Sequence, residues 1–280
     1  MKDEFGPNPW QQTSWDFRAA FNFMFGSAGA GLLLTAALSS AAGNALRAEM
    51  LLGMALIGAG LLSVWFEIGR PLRALNVGFN PFTSWMTRES FAAGLVFALG
   101  LAAVWLGSQP LAQATALAAL AFAYCQGRIL QGAKGIPAWR VPALTWLIFT
   151  SALAEGAGLY VAVTVLFGRS AGTALSFLAL ALIARAILWS MYRSGVAKSA
   201  VRAALSELDR AGSILIQFGT IAPLALLLVG WLVPDFARIL LSLAGLAALA
   251  AGWQFKFVLI TRAAYNQGFA LPHLPVRGTR

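Results

Sequence analysis

Stretches of about 20 apolar residues, recurring from one end of the chain to the other, constrain this sequence more than any other feature. A helix crossing a hydrocarbon layer of about 30 Å needs about 20 such residues, and it satisfies every backbone polar group within its own segment. The pattern predicts eight spans, near 17–42, 50–66, 89–106, 111–130, 142–167, 171–192, 212–232 and 236–260. With 59% hydrophobic and only 11% charged residues, a soluble globular domain is excluded. The expected fold is all-α: a single integral membrane domain over 1–280, with two four-helix bundles at 17–130 and 142–260. A polar segment, 1–16, precedes them and a tail, 261–280, follows. The polar opening carries Pro7 and Pro9 and lacks the basic start and apolar core of a cleavable secretion signal, so the first span is expected to remain in the mature protein.

The net charge of +10 is distributed as membrane topology demands, which makes nucleic-acid binding a poor explanation for it. Short connections at 107–110 and 168–170 force neighbouring spans antiparallel. Eight spans then put both termini on the same side as the long connections 67–88, 131–141 and 193–211. That side carries Arg70, Arg73, Arg88, Arg128, Lys134, Arg140, Arg193, Lys198, Arg202, Arg210 and Arg262. The other has Arg47, Arg169 and Arg238. Positive charge concentrates in cytoplasmic loops, so termini and long loops are expected in the cytoplasm. Cys125 and His273 are the only cysteine and histidine. Thiolate-held clusters and bis-histidine haem need more ligands than that, so no metal site is expected in this chain.

Small residues at 26–31 and 154–158 suit close helix contact within lipid. Polar side chains at membrane depth are functional candidates, because burying them is expensive. They are Arg18 and Asn22 in the first span, Glu67 closing the second and Glu89 opening the third. Further along stand Glu155, Arg185, Gln217, Gln254 and Lys256. Glu155 and Arg185 are expected either to form a structural ion pair or to serve a proton path. Lys256, near the end of its helix, is expected to snorkel to the interface. The charged stretch 193–210 is expected to lie at the membrane surface or against a partner.

The densest constellation is Trp65-Phe66-Glu67-Ile68-Gly69-Arg70-Pro71-Leu72-Arg73, followed by Asn76, Asn80, Ser84, Trp85, Arg88 and Glu89. In the plainest account the tryptophans are interfacial anchors, Glu89 favours its helix start through the dipole, and the arginines follow the topology rule. Against that, Glu67 stands among apolar and aromatic neighbours, a setting suited to accepting a proton. A quinone head group needs an apolar slot, a hydrogen-bond donor and a proton-exchanging group.

The stretch from Phe66 to Ala74 and then Ser84-Trp85-Met86-Thr87-Arg88-Glu89 resembles the membrane anchor subunits of DMSO-reductase-type molybdenum enzymes. That family is related to the NrfD and polysulfide-reductase membrane subunits. It typically shows His-Leu-Gly-x-Pro, an arginine, then Ser-Trp-x-x-Arg-Glu. The eight spans and Pro137-Ala138-Trp139 extend the resemblance through most of the chain. It implies a site for ubiquinone or menaquinone at Glu67, in the histidine's place, with Gly69, Arg73, Trp85 and Glu89, and with Arg18 and Asn22 as neighbours. Glu67 and Glu89 would exchange protons. The implied partners are an iron–sulfur subunit and a molybdopterin catalytic subunit, in the bacterial plasma membrane. The opening 6–16 and the tail 261–272 are similar to a narrower branch, the anchors of phenylacetyl-CoA:acceptor and sulfite-oxidising complexes. A rival expectation from another class is a multi-helix transporter or proton-translocating protein built on Glu155, Arg185 and Gln217.

Overall fold

The computed structural model describes residues 8–67, 76 and 78–268. It contains nine α-helices among the described residues: α1 (Phe17–Ser39), α2 (Asn44–Glu67), α3 (Trp85–Leu106), α4 (Gln109–Gly132), α5 (Pro142–Leu166), α6 (Gly172–Val196), α7 (Arg202–Ile216), α8 (Ala222–Leu232) and α9 (Ala237–Thr261). Helix starts follow local chemistry. Asp16 accepts from the Arg18 backbone at α1, Ser84 from Thr87 at α3 and Ser108 from Leu111 at α4, while α5 opens on Pro142. Gly107, in the left-handed region at φ 62°, lets α3 turn into α4.

α7 and α8 form a single span, joined by a π-turn at Gln217–Ile221. Pro223 supplies the reason, since without an N–H it cannot bond to the carbonyl of Gly219 four residues earlier. Among the described residues seven segments are long and apolar enough to cross a membrane by themselves. α4 is the exception to the eight expected. Gln109, Gln113, Gln126, Gln131 and Arg128 lower its hydropathy, yet it is as long as its neighbours and packs on α1, α3 and α5. Its polar groups find protein partners instead: Gln126 is buried and accepts from Ser27 at 2.8 Å.

α1 and α5 lie at the centre. About three quarters of their apolar windows are buried inside the protein, against 28–39% for the other crossing segments. One group, α1 to α4, and a second, α5 to α9, share this α1–α5 seam. The small residues predicted to pack do so here: a Cβ at Gly156 would stand 2.0 Å from the Gly31 carbonyl carbon. The described ends of the chain are clasped together on one side, where Gln12 N donates to Ala264 O at 2.8 Å and Asn266 N to Trp10 O at 3.0 Å. Trp139 from the α4–α5 loop donates to Leu259 O beneath that clasp.

The segment 193–210 comprises the end of α6, a turn at 197–201 and the start of α7, which begins ten residues before the expected 212. Ala204 and Leu208 turn inward, and Arg193 pairs with Asp209 across the turn, so the amphipathic pattern serves helix packing.

Candidate functional site

A cavity of about 600 Å³ opens between α1, the end of α2 and the start of α3, on the side of the clasped termini. That volume lies in the range of small-molecule sites. Most of its wall is apolar: Leu61, Leu62, Val64, Trp65, Phe97 and Ile129 among others. Its polar groups include three that the sequence had singled out, Asn22, Glu67 and Glu89.

Glu89 is 5% exposed. It does not open its helix as expected, because α3 begins at Trp85 under the Ser84 cap and places Glu89 a turn inside, facing the bundle. The side-chain amides of Gln126 and Asn22 lie within hydrogen-bonding reach of its carboxylate. Gln126 is held in turn, donating to Asn22 O at 3.1 Å and accepting from Ser27. Two buried oxygens of this cluster, Asn22 Oδ1 and Glu89 Oε1, have no hydrogen-bond partner among the described residues. An orphaned buried acceptor is costly, and in a cavity wall it is an invitation to a donor on a ligand.

Glu67 stands at the mouth, within electrostatic reach of Asp16 and Arg18. Arg18 is committed: it pairs with Asp16 at 2.8 Å and donates to Phe66 O at 2.8 Å, while Ser63 donates to Arg18 O. Its hydrogen bonds hold the Asp16 carboxyl below the usual carboxylate range. Arg18 therefore pins the end of α2 to the start of α1 and is not among the residues lining the cavity.

Trp85 also stands outside the lining and meets two cations, with the Arg88 guanidinium 4.1 Å and that of Arg128 4.4 Å from its ring centroid. Arg88 donates to Pro81 O and Phe82 O, which fixes the turn before α3. Gly69 and Arg73, with Arg70, lie outside the described residues, as does His273. Sequence reasoning missed Ser14 and Trp15, which cover the cavity from the clasped segment, and Gln126, which orients Glu89. The signal for Gln126 was available: an amide deep in an apolar span needs a polar partner nearby.

The second group of helices holds a different polar centre, and two expectations about it are corrected. Glu155 pairs with Lys256 at 2.7 Å, both fully buried, rather than with Arg185. Lys256 therefore does not snorkel, because Glu155 on the facing helix meets it within one side-chain length. Arg185 donates to Ala248 O at 3.1 Å and to Gly219 O, the carbonyl that Pro223 leaves free. On the far side of the protein, Glu49, unremarked in the sequence, is buried between Arg169 at 2.6 Å and Ser40 at 2.5 Å, and Ser40 also meets Tyr160. Among the described residues no group of three or more His, Cys, Asp and Glu side chains is arranged to hold a metal ion.

A sequence model of the family described as DMSO reductase anchor subunit (DmsC) matches residues 20–247, well over half of the chain. No curated protein sequence matches it.

Proposed function

The chain belongs to the DMSO reductase anchor subunit family, and from that premise we propose that the cavity between α1, α2 and α3 is where it exchanges electrons with a membrane quinone, ubiquinone or menaquinone. The observation that carries this is the pair of buried, unpartnered oxygens, Asn22 Oδ1 and Glu89 Oε1, in the wall of an otherwise apolar cavity of ligand size. The residues suit a quinol. Glu89 and Asn22 offer acceptors to a hydroxyl, Gln126 keeps the Glu89 carboxylate in place, and Trp65, Val64 and Phe97 exclude water from the ring. A quinone bound there supplies two-electron, two-proton chemistry. Glu89 takes or gives a proton at its free oxygen, and Glu67 at the mouth exchanges protons with the aqueous side, its position held by Arg18 acting on the Phe66 carbonyl.

In this scheme an iron–sulfur subunit docks over the clasped termini and relays electrons to or from a molybdopterin catalytic subunit, as membership of an anchor family implies. Both termini face the cytoplasm of a bacterial plasma membrane. The support is the charge asymmetry, with Arg88, Arg128, Lys134, Arg140, Lys198 and Arg262 on the terminal side against Arg47, Arg169 and Arg238 on the other. Gly69 and Arg73 enter the proposal by the sequence motif alone. The transporter alternative rests on Glu155, Arg185 and Gln217. Glu155 Oε1 and Arg185 Nε are also buried without a partner among the described residues, but neither residue lines the cavity, whereas Asn22 and Glu89 present theirs in its wall, and so the quinone proposal is preferred.

Glu89→Gln in the intact complex tests it. The substitution preserves shape and removes proton exchange, so quinol-linked turnover should fall by about 10²-fold or more. Activity of the partner subunits with an artificial dye should be unchanged. Normal quinol turnover in an assembled Glu89→Gln complex would remove the cavity from consideration as the site.

A further inference from the structure

The span formed by α7 and α8 carries a polar side chain that the fold leaves to the lipid. Gln217, at the head of the π-turn, is exposed, and its side-chain amide has no hydrogen-bond partner among the described residues. Its depth is fixed by its neighbours. Arg185, near the middle of α6, donates to Gly219 O and to Ala248 O, and Ala248 is near the middle of α9. Gly219 therefore stands close to mid-membrane, and Gln217 is only two residues, about 3 Å of helix, away from it. About 10 Å or more of hydrocarbon separates the amide from either surface, beyond the reach of a glutamine side chain.

The amide does not look into the bundle. A Cβ at Gly219 would meet Ala251 Cβ at 2.7 Å and the Arg185 guanidinium at 3.0 Å, so position 219 faces α9 and α6. Two residues earlier the helix has turned by roughly half a turn, which puts Gln217 on the opposite, outer face. The same face carries Arg210, Ser213, Ile221 and Leu228, at steps of three, four or seven and all exposed, while Leu215, Gly219 and Pro223 are buried behind it. Ser213 satisfies its hydroxyl within its own helix, on Asp209 O, and being small it lets a second helix approach closely.

A carboxamide is both donor and acceptor, and in hydrocarbon its partner has to be protein. Two copies of one chain in a membrane share an orientation, so a two-fold axis relating them runs along the membrane normal. Each residue then meets the other copy at its own depth. We infer that the α7–α8 face is the contact between two copies of this chain, with the Gln217 amides paired across the axis and Ser213, Ile221 and Leu228 packed against their counterparts. A second copy is the occupant that fits, because symmetry supplies it with an amide at the matching depth, whereas any other helix would need a polar group placed there independently. The inference does not rest on the quinone site. The cavity lies among α1, α2 and α3, in the other group of helices, and stays uncovered in the dimer.

Single cysteines placed on the face test it in native membranes that hold the intact complex, where Cys125 is buried and adds no background. On oxidation Ser213→Cys and Ile221→Cys should each link two copies of the chain, because parallel helices about one axis bring identical positions together. Leu117→Cys, 68% exposed on α4, should not. In mild detergent Gln217→Leu should weaken self-association by about tenfold on dilution, the scale of paired hydrogen bonds at membrane depth. Its membrane-localised yield should match that of the unmodified chain, since a leucine facing lipid costs the fold nothing. Face cysteines that link no more than Leu117→Cys would overturn the dimer. So would links to a different chain, which would make the face a site for a partner's helix. Unchanged self-association of Gln217→Leu, or a lost yield, would also overturn it and return the amide to a role within one chain.

Discussion

Lys256→Met and Glu155→Met form a test in which the order of the effects carries the reasoning. Both side chains are fully buried and 2.7 Å apart, and the Arg185 guanidinium lies within electrostatic reach of both. Removing one partner of a buried ion pair costs about 3–5 kcal/mol, because the survivor is left as an uncompensated charge, whereas replacing both by apolar groups is often neutral or stabilising. The two single changes are not equivalent. Lys256→Met leaves Glu155 with Arg185 as a remaining counter-charge. Glu155→Met leaves two cations facing each other, so it should be the more damaging. Additivity would put the double variant at roughly 6–10 kcal/mol. The expected double variant is instead more stable than Glu155→Met alone. Cys125, buried and the only cysteine, provides the assay: thermal opening of the purified chain in detergent, followed by a thiol-reactive dye. A double variant whose loss equals the sum of the singles, or a Lys256→Met more damaging than Glu155→Met, would refute the assignment of these two side chains as a coupled pair.

Gly156→Leu should abolish assembly of the chain while Gly94→Ala is tolerated, because at Gly156 the clash is with the α1 backbone, which cannot rotate away, and at Gly94 nothing lies within 4 Å of an added Cβ; membrane-localised yield of the two variants measures it. C-terminal reporter fusions should be active only with a cytoplasmic reporter, and activity from a periplasmic one would reverse the orientation inferred from charge.

Hydropathy and spacing alone determined that this chain crosses a membrane repeatedly as helices, and that small residues at 26–31 and 154–158 mediate close packing. They also picked out Asn22, Glu67 and Glu89 as candidates, because apolar length and the cost of a buried polar group are properties of a segment by itself. The family resemblance was equally legible in the Glu67 and Ser84–Glu89 motifs. Partnership was not legible, because which groups meet across helices depends on rotation and depth, and one-dimensional spacing leaves both free. Glu155 has two cations to choose from in the sequence, and only the packing of α5 against α9 selects Lys256. Arg185 then turns to the Gly219 carbonyl that Pro223, on another helix, leaves without a donor. Tertiary structure likewise decided that Arg18 and Trp85 brace the site from outside its wall, and that Glu89 faces inward beside an unpaired Asn22 oxygen. Each depends on where three separate helices happen to converge.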